Sequence, residues 1–301
     1  MHPKLIALEK KFQPSLLSRI VDPWLECQQI ELWIKRDDLI DPVISGNKWR
    51  KLKYYLDHAL SLKAHTLISM GGAYSNHLHA LAYAGQQLGL KTTGLIRGER
   101  PNGVTPTLRD LLNWGMELKF VSRADYRLLR QYQGWQDLPG LETGHYWLPE
   151  GGAHSLALKG VAELVAEIVI DYDVICVPCG TGTTLAGIVT AVPERVSVLG
   201  FAAFKNAAFL QADVDALLNR PYPNWEINLN YHFGGFARVN AELLAFTEAF
   251  ESTTGIALEP VYTGKMLYGL YDLIAKGYFK PGQRIIAVHT GGLQGKRGFE
   301  Q

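Results

Sequence analysis

The feature that most constrains the fold is a repeated alternation. A short run rich in apolar and β-branched residues leads into a glycine-containing turn and then an amphipathic helix. Such units predict parallel strands, because a helix must cross over before the next strand can pair in the same direction. Three of them are TLISM at 66–70 leading through GGAYSN into the helix LHALAYAGQQLG, TTGLIR at 92–97 before PTLRDLLNW, and ELKFVS at 117–122 before ADYRLLRQY. A second set opens with the helix SLALKGVAELVAEIV. It runs through strand DVICVP, loop CGTGTT, helix LAGIVTAV and strand VSVLGFAAF, and closes on RIIAVHTGG. The expected architecture is α/β with two open, twisted parallel-sheet lobes and a site in the cleft between them. The smaller lobe is expected over 51–160, and the larger over 1–50 and 161–301.

Composition removes several function classes. Thirty basic residues against twenty-nine acidic ones leave a formal charge of +1, so no global field draws the chain to nucleic acid or an acidic membrane. The expected partner is a small molecule. Cys27, Cys176 and Cys179 are too few for a disulfide scaffold, which fits a reducing cytoplasm. Cys176 and Cys179 have CxxC spacing but no second pair and no adjacent histidine cluster, so no metal is expected there. In MHPKLIALEKKF, charges interrupt a very short apolar run, unlike a signal peptide or a spanning helix.

The stretch VISGNKWRKLK places Lys48 directly after a Ser-Gly turn, with Lys51 one turn on. Leu52, Tyr55, Leu56, Ala59 and Leu60 share one stripe of the helix that follows. Cations in a first helical turn oppose the helix dipole unless an anion lies beside them, so the pair implies a bound anionic group. The loop Cys179-Gly180-Thr181-Gly182-Thr183-Thr184 joins a strand to a helix. Its glycines permit close backbone approach, and its amides and hydroxyls donate, as in a phosphate cup. It is neither a Walker loop nor a full dinucleotide fingerprint. The block Ala73-Tyr74-Ser75-Asn76-His77 opens another helix, where amides and side chains can hold a second anion. His77 and His79 lie on different faces, which argues against a shared metal.

Six blocks in order, KRDDL from Lys35, SGNKWRKL from Ser45, GGAYSNH from Gly71, CGTGTTLAG from Cys179, EPVYTGKM from Glu259 and HTGG from His289, resemble the pyridoxal-phosphate enzymes of fold type II. The branch they resemble holds 1-aminocyclopropane-1-carboxylate deaminase and D-cysteine desulfhydrase. The resemblance implies pyridoxal 5'-phosphate as cofactor, with Lys48 forming its Schiff base and Lys51, Gly180, Thr181, Gly182, Thr183 and Thr184 holding its phosphate. It implies Asn76 beside the ring's 3'-oxygen, Ser75 facing the substrate's α-carbon, and Tyr262 as a catalytic residue near the substrate. Glu259 corresponds to a structural carboxylate. His77 departs from the glutamine of the cyclopropane-carboxylate deaminases, with a carboxylate contact as its expected role.

Those deaminases carry glutamate directly after the catalytic tyrosine, where this chain has Thr263, and an apolar residue where it has Thr290. The two threonines, expected near the cofactor ring, match the desulfhydrase pattern. The resemblance therefore implies α,β-elimination from D-cysteine to pyruvate, sulfide and ammonia, with Lys48 or a Ser75/Tyr262 pair removing the α-proton. It implies lyase or hydrolase chemistry in amino-acid metabolism and a cytoplasmic homodimer. Two alternatives stand beside this: a cyclopropane-carboxylate deaminase or another fold type II deaminase, dehydratase or racemase, and a catalytically silent binding module on the same scaffold.

Overall fold

The computed structural model describes residues 1–100 and 103–299. In chain order its strands are β1 (Leu17–Arg19), β2 (Glu31–Lys35), β3 (Thr66–Gly71), β4 (Lys91–Arg97), β5 (Met116–Val121), β6 (His145–Trp147), β7 (Val174–Cys179), β8 (Ser197–Ala202), β9 (Trp225–Asn228) and β10 (Arg284–Val288). The helices are α1 (Pro3–Glu9), α2 (Pro23–Cys27), α3 (Asn47–Ser61), α4 (Asn76–Leu88), α5 (Pro106–Asn113), α6 (Arg123–Leu129), α7 (Ser155–Ala166), α8 (Thr183–Ala191), α9 (Phe209–Leu217), α10 (Ala241–Thr254) and α11 (Thr263–Ala275).

The strands form a six-stranded sheet of order β1-β2-β10-β7-β8-β9 and a four-stranded sheet of order β5-β4-β3-β6. Pairing is parallel throughout the smaller sheet and from β2 to β9 in the larger. The exception is the edge strand β1, which lies antiparallel on β2. The centre of the larger sheet is covered on both faces, which is why β7, β8 and β10 read as near-continuous apolar runs. On β10, Ile285 and Ala287 enter one core while Ile286 and Val288 enter the other.

The expected division at 50/51 falls inside α3, and that helix is locked to the larger sheet by buried charge. Arg50 donates to Asp37 Oδ1 at 3.0 Å and to both carboxylate oxygens of Glu167, at 2.5 and 2.7 Å. Lys35 on β2 donates to Glu167 Oε2 at 2.6 Å. One misplaced partner would leave a buried charge uncompensated, so the network fixes the rotation of α3. Glu167 also stands at the C-cap of α7, which ends at Ala166 rather than continuing to Val169 as the apolar period suggests. A Cβ on Gly160 would lie 1.9 Å from Arg50 O, so α3 and α7 meet backbone to backbone.

Candidate active site

Two glycine turns from opposite ends of the chain are pressed together here. Gly46 has φ +64°, and a Cβ on it would fall 1.9 Å from Thr290 O. Gly291 has φ +70°, and its Cβ would fall 2.3 Å from Ser45 Oγ. Only glycine meets both the space and the backbone angle. Asn47 N donates to Thr290 O at 3.2 Å, which couples the start of α3 to the turn after β10. His289 holds that turn by donating from Nε2 to Ala257 O at 2.8 Å and accepting from Gly291 N at Nδ1. Burial keeps its pKa below the usual histidine range.

Lys48 and Lys51 project from the first turns of α3. Lys48 is half-buried and donates to Asn47 Oδ1 at 2.5 Å. Burial pulls its pKa down to about 8, against an opposing pull from Glu259. Lys51 is buried and donates to Gly151 O at 3.1 Å and to Thr181 Oγ1 at 3.4 Å. Burial and then the Lys48 charge push its pKa well below the ordinary value. Among the described residues the partners of these amines are an amide, a carbonyl and a hydroxyl, and none is a carboxylate. Two adjacent ammonium groups held this way favour an anion.

The loop after β7 completes the cup. Gly182 takes φ +71° as the N-cap of α8, and no side chain caps that helix. Its first N–H groups therefore remain available to an anion. Thr181 and Thr183 hydroxyls lie 2.9 Å apart beside Lys51. Thr184 is buried, and its hydroxyl accepts from Asn47 Nδ2 at 2.9 Å, so it ties α8 to α3. A Cβ on Gly180 would stand 3.2 Å from the Tyr262 ring, which places Gly180 at the lip between the cup and that tyrosine. A phosphate monoester fits this donor set of lysine, hydroxyls and helix amides.

A second N-terminus opens at α4. Ser75 is its N-cap, and Oγ accepts from Leu78 N at 3.2 Å, which leaves the hydroxyl proton free to donate. The N–H groups of Asn76 and His77 have no intrahelical partner, as the first turn requires. His77 itself corrects the sequence expectation. Its side chain is buried, with Nε2 2.8 Å from Ser69 Oγ, and Ser69 directs its own proton to Leu148 O at 2.8 Å. Nε2 therefore carries the proton and Nδ1 is an acceptor, buried without a partner among the described residues. Burial, then Lys51 and Lys48, push the pKa down to about 3. A neutral ring with a lone pair outward cannot donate to a carboxylate, so only the backbone N–H of His77 suits that role.

Tyr262 precedes α11, with its ring edge-on to Phe236 at 5.9 Å. Burial raises its pKa, so it is a neutral phenol. Glu259 accepts from Val261 N, Tyr262 N and Thr263 N at 2.8, 2.7 and 2.6 Å and is committed to the turn, as the sequence implies for a structural carboxylate. Thr263 corrects a second expectation. It is fully buried, and its hydroxyl lies within 3.3 Å of three Glu259 atoms, so it closes this turn instead of standing open to a ring nitrogen. The Thr290 hydroxyl has no hydrogen-bond partner among the described residues. Nor does a hydrogen bond join Ser75 to Tyr262 among them. Sequence reasoning also missed Lys265, buried on α11 and donating to the carbonyls of His232 and Gly235 at 2.9 and 2.8 Å. It anchors the segment carrying Phe236.

Comparison with known proteins agrees with this arrangement. The family model described as pyridoxal-phosphate dependent enzyme matches residues 21–291. A putative 1-aminocyclopropane-1-carboxylate deaminase of Pyrococcus horikoshii is 31% identical, covering 98% of this chain and 96% of that one. A bifunctional D-cysteine desulfhydrase/1-aminocyclopropane-1-carboxylate deaminase, mitochondrial, of Arabidopsis thaliana is 33% identical over 88% of this chain and 73% of its own length. A crystal structure described as an ACC deaminase homologue superposes with TM-score 0.81 at 29% identity, covering 98% of this chain and 97% of that one. The donor set at the start of α3 and α8 is of the kind a phosphorylated cofactor needs, and the chain belongs to the pyridoxal-phosphate dependent enzymes of fold type II, in the family of 1-aminocyclopropane-1-carboxylate deaminase and D-cysteine desulfhydrase.

Proposed function

We propose that this enzyme catalyses α,β-elimination on a small amino acid, with D-cysteine as substrate and pyruvate, hydrogen sulfide and ammonia as products, one water being consumed. The cleavage is elimination, so the chemistry is that of a lyase and not of a hydrolase. The observation that carries the proposal is the commitment of Glu259. The carboxylate of the Tyr262 turn is bound to backbone amides, and the residues after Tyr262 and His289 are Thr263 and Thr290. Pyridoxal phosphate supplies an electron sink, whose strength depends on the group at its ring nitrogen. Without a carboxylate there, expulsion of a thiol, which stabilises its own charge, is easier than opening a carbon ring.

In this reading Lys51, Thr181, Thr183 and the α8 amides hold the phosphate. The N–H groups of Asn76 and His77 and the Ser75 hydroxyl orient the substrate carboxylate. Lys48, with its pKa near 8, supplies an amine that exchanges a proton at the α-carbon near neutral pH. Tyr262 stands by as a neutral proton donor. The names of the relatives favour a second reading, deamination of 1-aminocyclopropane-1-carboxylate. A substrate panel separates the two: sulfide with pyruvate from D-cysteine supports the first, and 2-oxobutyrate from the cyclopropane acid supports the second. Protein that gains no yellow colour and no borohydride-trappable adduct with the cofactor would be the silent scaffold.

A further inference from the structure

The segment after β10 ends in a short 3-10 helix, Leu293–Gly298, that reaches across to α4 and α5. Gln294 is its second residue, and its surroundings fix which end of its amide faces which way. Thr107 Oγ1 donates to Gln294 Oε1 at 2.7 Å, and Arg297 NH2 donates to the same oxygen at 3.0 Å. Arg297 is held in turn by Asp110 at 2.6 Å, and Asp110 also pairs with His79 at 3.2 Å. With two donors on Oε1, that atom is the oxygen, and the Gln294 Nε2 hydrogens face Asn76 Oδ1, to which they donate. The Asn76 amide is therefore oriented too. Its oxygen is taken, and its Nδ2 lies against Gly292, where a Cβ would come within 2.7 Å. Nδ2 has no hydrogen-bond partner among the described residues.

We propose that Gln294 is a positioning residue that holds Asn76 as a hydrogen-bond donor toward the cofactor's 3'-oxygen, and that Thr107 and Arg297 enforce this polarity. The proposal rests on the placement of Asn76 beside that oxygen. A free side-chain amide can rotate half a turn at little cost and present its oxygen instead, where it would repel an anionic ring oxygen. The Gln294 relay removes that alternative. It also makes the polarity of the site depend on α5 and on the last turn of the described chain.

The test uses the purified holoenzyme and four variants: Gln294→Glu, Gln294→Leu, Asn76→Ala and the double variant Asn76→Ala/Gln294→Glu. The readouts are the ratio of the visible to the near-ultraviolet band of the bound cofactor and the cofactor's dissociation constant, with the melting temperature as a folding control. Gln294→Glu keeps acceptors for Thr107 and Arg297 but turns an acceptor toward Asn76, so the Asn76 amide must flip. We expect the visible band to fall in favour of the ultraviolet one and cofactor binding to weaken roughly tenfold. Gln294→Leu, which removes the relay without imposing the flip, should show a smaller shift in the same direction. The double variant should match Asn76→Ala alone, since Gln294 acts only through Asn76. If Asn76→Ala shifts the spectrum while Gln294→Glu and Gln294→Leu do not, the positioning role is wrong. If Asn76→Ala leaves the spectrum unchanged, the placement of Asn76 fails, and the proposal with it.

Discussion

Asn47 Nδ2 donates to Thr184 Oγ1 across 2.9 Å, joining residues 137 positions apart in a fully buried contact. The bond brings the N-terminus of α3 against the N-terminus of α8, so two helix dipoles present their positive ends to one place. The lysine pair alone would repel itself. Together with the dipoles it forms a site whose charge is balanced when an anion is present.

Replacing Thr184 with valine tests that junction. The change keeps the shape and strands the Asn47 amide, so it should cost about 1–3 kcal/mol of stability. It should also weaken cofactor retention, because the two N-termini are no longer tied. Chemical denaturation and equilibrium dialysis of the cofactor measure the two effects separately.

Lys48→Ala should fold with a melting temperature close to wild type, yet lose turnover by on the order of a thousandfold or more, because the proposed mechanism makes its amine the nucleophile. Borohydride treatment followed by intact-mass measurement should add no cofactor to the variant. In wild type, the rate of cofactor incorporation should rise as pH approaches about 8, where the Lys48 amine sheds its proton, and level off above it.

The lowered pKa values of Lys48 and Lys51 also make the cofactor-free protein sensitive to pH. The folded state binds fewer protons than the unfolded chain between about 8, the Lys48 value, and 10.5, the ordinary lysine value. Stability contributed by these groups therefore rises with pH through that window. An anion in the cup should reverse the deficit at neutral pH. Inorganic phosphate at about ten times its dissociation constant should add about 1.4 kcal/mol. Differential scanning calorimetry with phosphate, and with chloride at equal ionic strength, would show the difference.

His77→Gln should leave the acidic limb of the activity profile unchanged between about pH 5.5 and 7.5, where an ordinary histidine titrates. The native ring already stays neutral across that range, with its pKa near 3. The substrate KM should change little, since the side chain gives the carboxylate no proton. A lost ionisation near 6.5 in the variant profile would contradict the tautomer assigned from Ser69.

Much of this arrangement was legible in the sequence. The runs at 66–70, 92–97, 117–122 and 173–178 became β3, β4, β5 and β7 with ends shifted by a residue or so. The apolar stripe of α3 is buried as its spacing predicts. Strands β1, β2, β6 and β9 escaped because three to five residues carry too little period to separate a strand from a loop. Their existence depends on partners distant in the chain. The site shows the same split. Lys48, Lys51 and the Gly/Thr loop carry local motifs, whereas the meaning of His77 and Thr263 depends on who else holds their atoms. Ser69, Leu148 and Glu259 decide that, and no spacing rule connects Ser69 or Leu148 to His77. Gln294 likewise acquires its polarity only through Thr107, 187 positions away.

The Lys265 anchorage bears on how a substrate arrives. Its ammonium sits among main-chain oxygens, two of them from the aromatic segment, so peeling that segment outward would leave the cation with Ala203 O alone. The segment should therefore travel with α11 as one rigid wall on the Tyr262 side of the site.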